Sequence, residues 1–175
     1  MKTGIICAQG LEECEGLIVY DLLYRAGIEV ELIGLEKEIT SSHKLTFTTD
    51  KTIDEMNPNE YECLVLPGGM PGTKNLEASK IVNEMIDSFV KENKIVAAIC
   101  AAPGILVRKG LLNDNEFTCF PGHESNKIST KEKVCIHGNF ITARGMGVTI
   151  EFAAAIIEKL CGEEKAQEIL QKIQY

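Results

Sequence analysis

The sequence predicts an α/β fold, with a doubly wound, mainly parallel sheet and helices on both faces. Three observations support this prediction. Four short apolar runs have the composition of strands that are buried on both faces. Segments with apolar residues at helical spacing separate these runs, and such alternation of strand and helix is typical of a parallel sheet. No linker, internal repeat or low-complexity tract interrupts the chain, so we expect a single domain over residues 1–175.

The elements can be assigned in order along the chain. The apolar runs predict core strands at 3–8, 28–34, 62–66 and 94–99. Helical spacing predicts helices at 14–26, 78–92 and 101–109, and glycines at 27 and 110 are placed to end the first and the third. Shorter strands are predicted at 116–120, 133–136 and 140–143, and a small hairpin at 38–41 and 46–49. The last helix runs from residue 148 to residue 160 and continues after a possible break at Gly162.

Composition and charge exclude several classes of protein. Hydrophobic residues make up 45% of the chain and charged residues 25%, as in ordinary soluble globular proteins. The formal net charge is −8 and the positive residues form no stripe, so nucleic acid is not an expected partner. No apolar run is long enough to cross a membrane, and the N-terminus lacks the layout of a signal peptide. We therefore expect a cytoplasmic protein without a membrane partner.

The seven cysteines do not form a recognisable framework. Their number is odd, no C-x-x-C occurs, and several lie inside apolar runs, so neither a disulfide scaffold nor a zinc site is expected. No group of histidine, cysteine and aspartate residues has the spacing of metal ligands, and neither a phosphate-binding glycine loop nor a flavin motif is present. We expect no metal and no cofactor, and most cysteines to be inert small hydrophobes.

Cys100 is the expected exception among the cysteines. It directly follows the apolar run 95–99 and precedes the small, helix-prone stretch 101–107. A strand that stops at a cysteine and turns at once into a helix forms a nucleophile elbow. Backbone N–H groups and the helix dipole at such a turn favour the thiolate over the thiol. The sequence therefore predicts Cys100 as a nucleophile.

A glycine turn follows the third core strand, in the segment Pro67-Gly68-Gly69. If this strand neighbours the one before Cys100, the turn and the thiol meet at the carboxyl edge of the sheet. Bare N–H groups of the turn, together with that of Ala101, could then bind an oxyanion or a carbonyl oxygen. A tight turn that simply needs positive φ is the plainer interpretation of the glycine pair.

A cluster of acidic residues follows the first core strand. Glu12, Glu13 and Glu15 lie at the start of the first helix, where negative charge is favoured by the helix dipole. Apolar residues follow Glu15, so this side chain can face inward, share a hydrogen bond with Cys100 and move protons to and from a substrate. An exposed acidic residue at a helix start is the alternative.

Histidines offer a weaker signal. A cysteine hydrolase normally needs a histidine base, and the chain holds only three histidines. His123 is the best candidate, although a solvated loop histidine is the plainer interpretation. Cys14, adjacent to Glu15, is a candidate resolving thiol.

Four segments together resemble the DJ-1/ThiJ/PfpI superfamily, and most closely the DJ-1 branch in its bacterial form with a short C-terminus. EECE at 12–15 resembles the E-E-x-E segment of that branch, and LVLPGG at 64–69 resembles its V-L-P-G-G turn. AAICAAP at 97–103 resembles its A-A-I-C-A-x-P elbow, and TARGMG at 142–147 resembles its T-S-R-G-P-G segment, with methionine for proline. The order and spacing over nearly the full length make the match far more specific than any single motif.

The resemblance implies a flavodoxin-like fold and a homodimer. It implies that Cys100 is reactive and oxidation-prone, that Glu15 is its carboxyl partner, and that Gly69 and Ala101, beside Gly68, supply the backbone N–H groups. Activities proposed for the family are glyoxalase chemistry on methylglyoxal, deglycation of proteins, redox-regulated chaperoning and sensing of oxidative stress. The protease activity of the PfpI branch is not expected, because Ala101 occupies the place of its histidine.

Two positions depart from the pattern of the DJ-1 branch. Phe120 stands where that branch often has a histidine that reaches toward the active site, which argues against efficient glyoxalase turnover. His43 stands where many relatives carry an arginine near the dimer contact, so anion binding there would differ or depend on pH.

Three functions remain open at this point. In the first, the Cys100 thiolate attacks a reactive carbonyl, free or on a glycated protein, and Glu15 moves a proton between carbons before water releases a hydroxy acid. In the second, the chain is a redox sensor or holdase chaperone, and Glu15 stabilises a Cys100 sulfinate. In the third, the pocket holds a small carbonyl metabolite without turnover.

Overall fold

A seven-stranded sheet forms the centre of the computed structural model, which describes all residues 1–175. Its strands, numbered along the chain, are β1 (Lys2–Cys7), β2 (Glu29–Gly34), β5 (Lys51–Thr52), β6 (Cys63–Leu66), β7 (Ile95–Ile99), β8 (Val134–His137) and β9 (Phe140–Ala143). A separate antiparallel hairpin joins β3 (Glu38–Thr40) and β4 (Thr46–Thr48), as predicted. The order in the sheet is β5-β2-β1-β6-β7-β9-β8, and only the β8–β9 pair is antiparallel. The predicted mainly parallel sheet is confirmed.

Six α-helices accompany the sheet: α1 (Glu13–Arg25), α2 (Gly72–Ala78), α3 (Lys80–Lys91), α4 (Pro103–Arg108), α5 (Thr149–Cys161) and α6 (Glu163–Lys172). Three short 3₁₀ turns add to them: Ile53–Glu55, Pro58–Glu60 and Met146–Val148. The break predicted at Gly162 is present, since this residue has φ 91° and separates α5 from α6. No helix is both long and apolar enough to cross a bilayer.

Alternate strand residues pack into two apolar layers, one on each face of the sheet. Ile5 and Cys7 of β1 face the layer that holds α1, α5 and α6, whereas Ile6 and Ala8 face the layer that holds α3 and α4. Every residue of β6 and β7 is buried, as expected of strands covered on both sides. The doubly wound arrangement predicted from the apolar runs is therefore confirmed.

One predicted strand is wrong, and one predicted helix is wrong in part. Residues 116–120 form no strand, because the buried Thr118 N–H donates to the Thr142 side-chain oxygen at 3.0 Å and not to a neighbouring strand's carbonyl. The helix predicted at 101–109 begins only at Pro103, since residues 100–102 form a turn. Helix α2 was not predicted, because its seven residues are too few to show a helical period.

The carboxyl ends of three core strands lie side by side. β6 pairs with β1 on one side and with β7 on the other, so the segments that follow these strands meet at one edge of the sheet. This is the edge at which parallel α/β sheets place their sites. The segments that converge there carry Glu15, Gly68-Gly69 and Cys100.

Candidate active site

The main chain of Cys100 has an unusual and firmly held conformation. Its φ is 64°, in the left-handed region that non-glycine residues rarely occupy. Its N–H donates to the Ala143 carbonyl at 2.8 Å, and its carbonyl accepts from the Phe120 N–H at 2.7 Å. Such a conformation persists only where the surroundings fix it. The end of β9 and the loop at Phe120 therefore hold the sharp turn that the sequence predicted.

The predicted site residues meet around the Cys100 sulfur. The side chain is partly buried and lies beside the Glu15 carboxyl, and the N–H groups of Gly69 and Ala101 lie close enough to the sulfur to lower its pKa. The sulfur therefore lies between one carboxyl group and two main-chain donors. This arrangement can hold negative charge on sulfur or on the oxygen of a bound carbonyl.

Helix α1 directs Glu15 into the protein. The Glu12 carboxylate caps the helix by accepting the Glu15 N–H at 2.9 Å, and the Glu15 side chain is 0% exposed. Its Oε2 atom accepts the Gly68 N–H at 2.8 Å. Its Oε1 atom is buried and accepts no N–H or O–H group. An ionised carboxylate would leave this oxygen poorly satisfied, which favours the protonated acid.

The glycine turn is required by close packing. A Cβ atom on Gly68 would lie 2.7 Å from the Cys100 Cβ and 2.7 Å from the Glu15 Oε2 atom. A Cβ atom on Gly69, whose φ is 87°, would lie 2.2 Å from the Glu12 nitrogen. Both interpretations of the glycine pair therefore apply, because the same turn that needs glycine also brings thiol, carboxyl and N–H groups together.

The two titratable groups oppose each other's ionisation. Burial raises the pKa of Glu15 to about 7, although the Gly68 N–H and the Cys100 thiol act in the opposite direction. Burial and the charge of an ionised Glu15 raise the pKa of the Cys100 thiol to about 12, whereas the N–H groups of Ala101 and Gly69 lower it. The N–H groups of the turn thus favour the thiolate, but burial and an ionised Glu15 oppose it more strongly. A thiolate requires that Glu15 hold the proton, and the two groups titrate as a pair.

Three other candidate residues lie near this centre. The His123 ring packs edge-on against the Phe120 ring, with 6.4 Å between centroids, and the Phe120 side chain is 50% exposed. Burial and the acidic neighbours Glu12, Glu13 and Glu15 raise the pKa of the Cys14 thiol. All seven cysteines are free thiols. The roles of His123, Phe120 and Cys14 as accessory residues stay predictions.

One cluster has the spacing of metal ligands, although no sequence motif indicated it. Oxygen atoms of Glu12 and Glu13 and a ring nitrogen of His43 lie within 4.8 Å of one another. The ring Nδ1 atom of His43 is 3.1 Å from the Glu13 carboxylate, across 30 residues of sequence, so a hydrogen bond between these two side chains accounts for the cluster.

Main-chain groups are the part of the site that sequence reasoning missed. The Ala143 carbonyl and the Phe120 N–H fix the Cys100 peptide, yet any residue could supply the carbonyl and any residue except proline the N–H. No pattern of side chains could have indicated them.

The chain is similar to several known proteins. The family model described as "DJ-1/PfpI family" matches residues 1–159. Protein dj-1beta of Drosophila melanogaster is 33% identical over 172 residues, which cover 94% of this chain and 92% of that protein. Glutathione-independent glyoxalase DJR-1.2 of Caenorhabditis elegans is 29% identical over 171 residues, which cover 93% and 89%.

Another relative is much longer than this chain, whereas a similar solved structure has nearly the same length. Protein DJ-1 homolog B of Arabidopsis thaliana is 35% identical over 168 residues, and the match spans 93% of this chain but only 38% of the plant protein. Among solved structures, that of Toxoplasma gondii DJ-1, described as oxidized, superposes with a TM-score of 0.94 at 31% identity. That superposition covers 99% of this chain and 98% of the other.

Proposed function

Because this chain belongs to the DJ-1/PfpI family, we propose that it is a cofactor-independent enzyme that converts reactive carbonyl compounds into hydroxy acids. The buried Glu15 carboxyl beside Cys100 is the observation that supports this proposal most strongly. The name of the Caenorhabditis elegans relative, a glutathione-independent glyoxalase, adds support from outside the structure.

The nucleophile forms by proton exchange within the pair. The Glu15 pKa of about 7 means that the pair loses its first proton near neutral pH. When the remaining proton lies on Glu15, the sulfur is a thiolate that receives the N–H groups of Gly69 and Ala101. Glu15 then stands ready as the acid that protonates the substrate oxygen.

The reaction proceeds through covalent intermediates on Cys100. The thiolate adds to the aldehyde carbon, forming a C–S bond, while the aldehyde oxygen takes the proton from Glu15. The Glu15 carboxylate then removes the hydrogen of that carbon and returns a proton to the neighbouring ketone carbon, which leaves a hydroxy thioester. Water breaks the C–S bond and releases the hydroxy acid and the thiol. The aldehyde carbon is oxidised and the ketone carbon is reduced, so no external oxidant is needed.

The direct test is the conversion of methylglyoxal to lactate by the purified protein. We expect Cys100→Ser to fall to background and Glu15→Gln to lose about 10²–10⁴-fold in rate, because the acid–base group is removed. Cys161→Ser, at a partly buried cysteine on α5, is the matched control and should keep full activity. Equal rates in the wild type, Cys100→Ser and Glu15→Gln would disprove the proposal.

A second candidate function is redox sensing, with or without chaperone activity. The Cys100 sulfur is partly exposed beside Glu15, and the Toxoplasma gondii structure is described as oxidized. Two equivalents of peroxide would each transfer one oxygen to sulfur and leave as water, giving a sulfinate that shares a proton with Glu15.

Mass spectrometry after mild peroxide treatment tests this second function. We expect peptides that contain Cys100 to gain two oxygens before any peptide of the other six cysteines is modified, because two main-chain N–H groups and the Glu15 carboxyl face the Cys100 sulfur. Glu15→Leu should slow the gain of the second oxygen. Earlier modification of another cysteine would exclude a sensor centred on Cys100.

The same chemistry extends to carbonyl adducts on proteins, so a glycated protein is a second class of substrate in this proposal. The family also leads us to propose a cytoplasmic homodimer, for which sedimentation analysis and localisation of the tagged protein are the direct tests.

A further inference from the structure

A groove of about 820 Å³ opens beside the candidate active site. This volume suits a ligand of drug-like size and far exceeds what a three-carbon aldehyde needs. Three chain segments line it: residues 118–121 with Glu124, residues 129–131, and residues 144–148. The size of the groove indicates a substrate with a part that extends well beyond its reactive carbonyl.

One of these segments is hydrogen-bonded to the nucleophile's own peptide, and a second begins directly after a residue that is. The Cys100 carbonyl accepts from the Phe120 N–H, and the Cys100 N–H donates to Ala143, the residue before Arg144. The Phe120 ring lies across from Gly145, where a Cβ atom would be 3.5 Å from the ring. Phe120 therefore both lines the groove and contacts the Cys100 peptide, which places the groove next to the turn that holds the sulfur.

Apolar and cationic groups share the lining. Phe120 is 50% exposed and Met146 is 52% exposed, and the two side chains lie in one groove, where they are free to contact a ligand. Arg144 and Lys131 are exposed and neither forms an ion pair. Two unpaired cations in one groove are noteworthy in a chain with a net charge of −8.

Two of the neighbouring carboxylates already have hydrogen-bond partners. The main-chain N–H of Arg144 donates to the Lys133 carbonyl. The Lys133 side chain forms an ion pair with Glu151 at 2.7 Å, so this carboxylate already has a cationic partner. Glu124, the one carboxylate in the lining, accepts the Gly122 N–H at 2.8 Å. Arg144 and Lys131 thus remain available for an anionic group of a ligand.

We propose that this groove makes the enzyme specific for oxoaldehydes that carry a carboxylate at the far end of an apolar chain. Phe120 and Met146 contact the chain, Arg144 binds the carboxylate, and Lys131 adds a second positive charge. The claim that the substrate is an aldehyde rests on the proposed function, whereas the claim that the groove binds an anion does not.

Three α-oxoaldehydes test the assignment by their steady-state kinetics. Methylglyoxal is small and uncharged, 2-oxohexanal is longer and uncharged, and 4,5-dioxopentanoate is of similar length with a terminal carboxylate. Mass spectrometry quantifies their products, which are lactate, 2-hydroxyhexanoate and 2-hydroxyglutarate. We expect the wild type to prefer 4,5-dioxopentanoate over 2-oxohexanal by about tenfold in kcat/KM.

Arg144→Gln should remove this preference by raising KM for 4,5-dioxopentanoate about five- to tenfold, with kcat and the two uncharged substrates unchanged. Lys131→Gln should have a smaller effect in the same direction. Lys127→Gln, at an exposed lysine of the same loop outside the lining, is the matched control and should change nothing. Intact mass after the assay verifies that the aldehydes have not modified Arg144.

Binding of 4-oxopentanoate, which has the carboxylate but no aldehyde, separates this inference from the proposed function. Saturation-transfer NMR should detect binding to the wild type and not to Arg144→Gln. If no aldehyde is turned over but this pattern is seen, the enzyme proposal fails and the anion groove stands. Equal KM values for the charged and uncharged long aldehydes in the wild type, or equal binding by both proteins, would overturn the groove assignment.

Discussion

At the scale of single residues, the position of one proton decides the chemistry. Glu15 and Cys100 are neighbours in a buried site, and burial makes ionisation of both groups at once unfavourable. The unsatisfied Oε1 atom of Glu15 and the two N–H groups that face the sulfur favour the state with the proton on the carboxyl and the charge on sulfur. The opposite state would leave an unreactive thiol beside a carboxylate.

Glu15→Gln distinguishes these two states through the pKa of the thiol. If Glu15 donates to the thiolate, the wild-type thiol should titrate below the value of about 8.5 for a free cysteine. The uncharged amide is a weaker donor, so the variant's pKa should rise by about one unit. The ultraviolet absorbance of the thiolate measures this, with Cys100→Ser as the blank. A fall of several units in the variant would show instead that Glu15 is the ionised partner and opposes the thiolate.

At the scale of elements, the turn after β6 sets the distance between carboxyl and thiol. Gly68 passes so closely between them that a methyl group would have to displace either Cys100 or Glu15. The start of α1 and the turn after β7 are the other two walls of this narrow space.

Gly68→Ala should therefore lower the methylglyoxal activity at least about tenfold, because a misplacement of 1 Å is costly in catalysis. The control is Gly27→Ala, in the turn after α1, since a Cβ atom on Gly27 meets nothing within 4 Å. Its positive φ makes that variant less stable, but its activity should be unchanged. Circular dichroism should show that both variants are folded. Full activity of Gly68→Ala would mean that the spacing of thiol and carboxyl is not critical.

The sequence predicts structure well where buried apolar side chains form a regular pattern, and poorly where main-chain hydrogen bonds determine the conformation. The apolar runs at 3–8 and 94–99 predicted their strands because both faces of each strand are covered. The run at 116–120 also has the composition of a buried strand. Phe117 and Thr118 are indeed buried, but they lie in a loop whose Thr118 N–H bonds to the Thr142 side chain of β9. Likewise, motif spacing predicted Glu15 and Cys100 as partners, but the direction of their pKa shifts depends on burial that only the fold defines.

At the scale of the whole molecule, the buried acid links the site to stability. The pKa of Glu15 is about 7 in the folded protein and 4.5 in an ordinary glutamate, so the folded state binds this proton more tightly. The resulting stabilisation is fully present below pH 4.5 and is lost as the pH rises through 7. The site is therefore maintained at a cost in stability at neutral pH.

Urea unfolding across this pH range measures the cost. Cys100→Ser serves as the background, because it removes the coupled thiol. Two proteins are compared, Cys100→Ser and Cys100→Ser with Glu15→Gln. As the pH rises from 4.5 to 7, the free energy of unfolding of the first should fall by about 3 kcal/mol relative to that of the second. The glutamine side chain does not titrate, so it provides the reference at every pH. A constant difference between the two proteins would show that the Glu15 pKa is not raised.

The three strand ends that form the site also define when it can form during folding. Glu15 and Gly68 are 53 residues apart in the chain, and Cys100 lies further on, so their contacts close long loops. The thiol, its acid and its N–H donors therefore come together in space only after β1, β6 and β7 have paired. The rate at which Cys100 gains its enhanced reactivity toward an alkylating agent after dilution from denaturant should thus report completion of the central sheet.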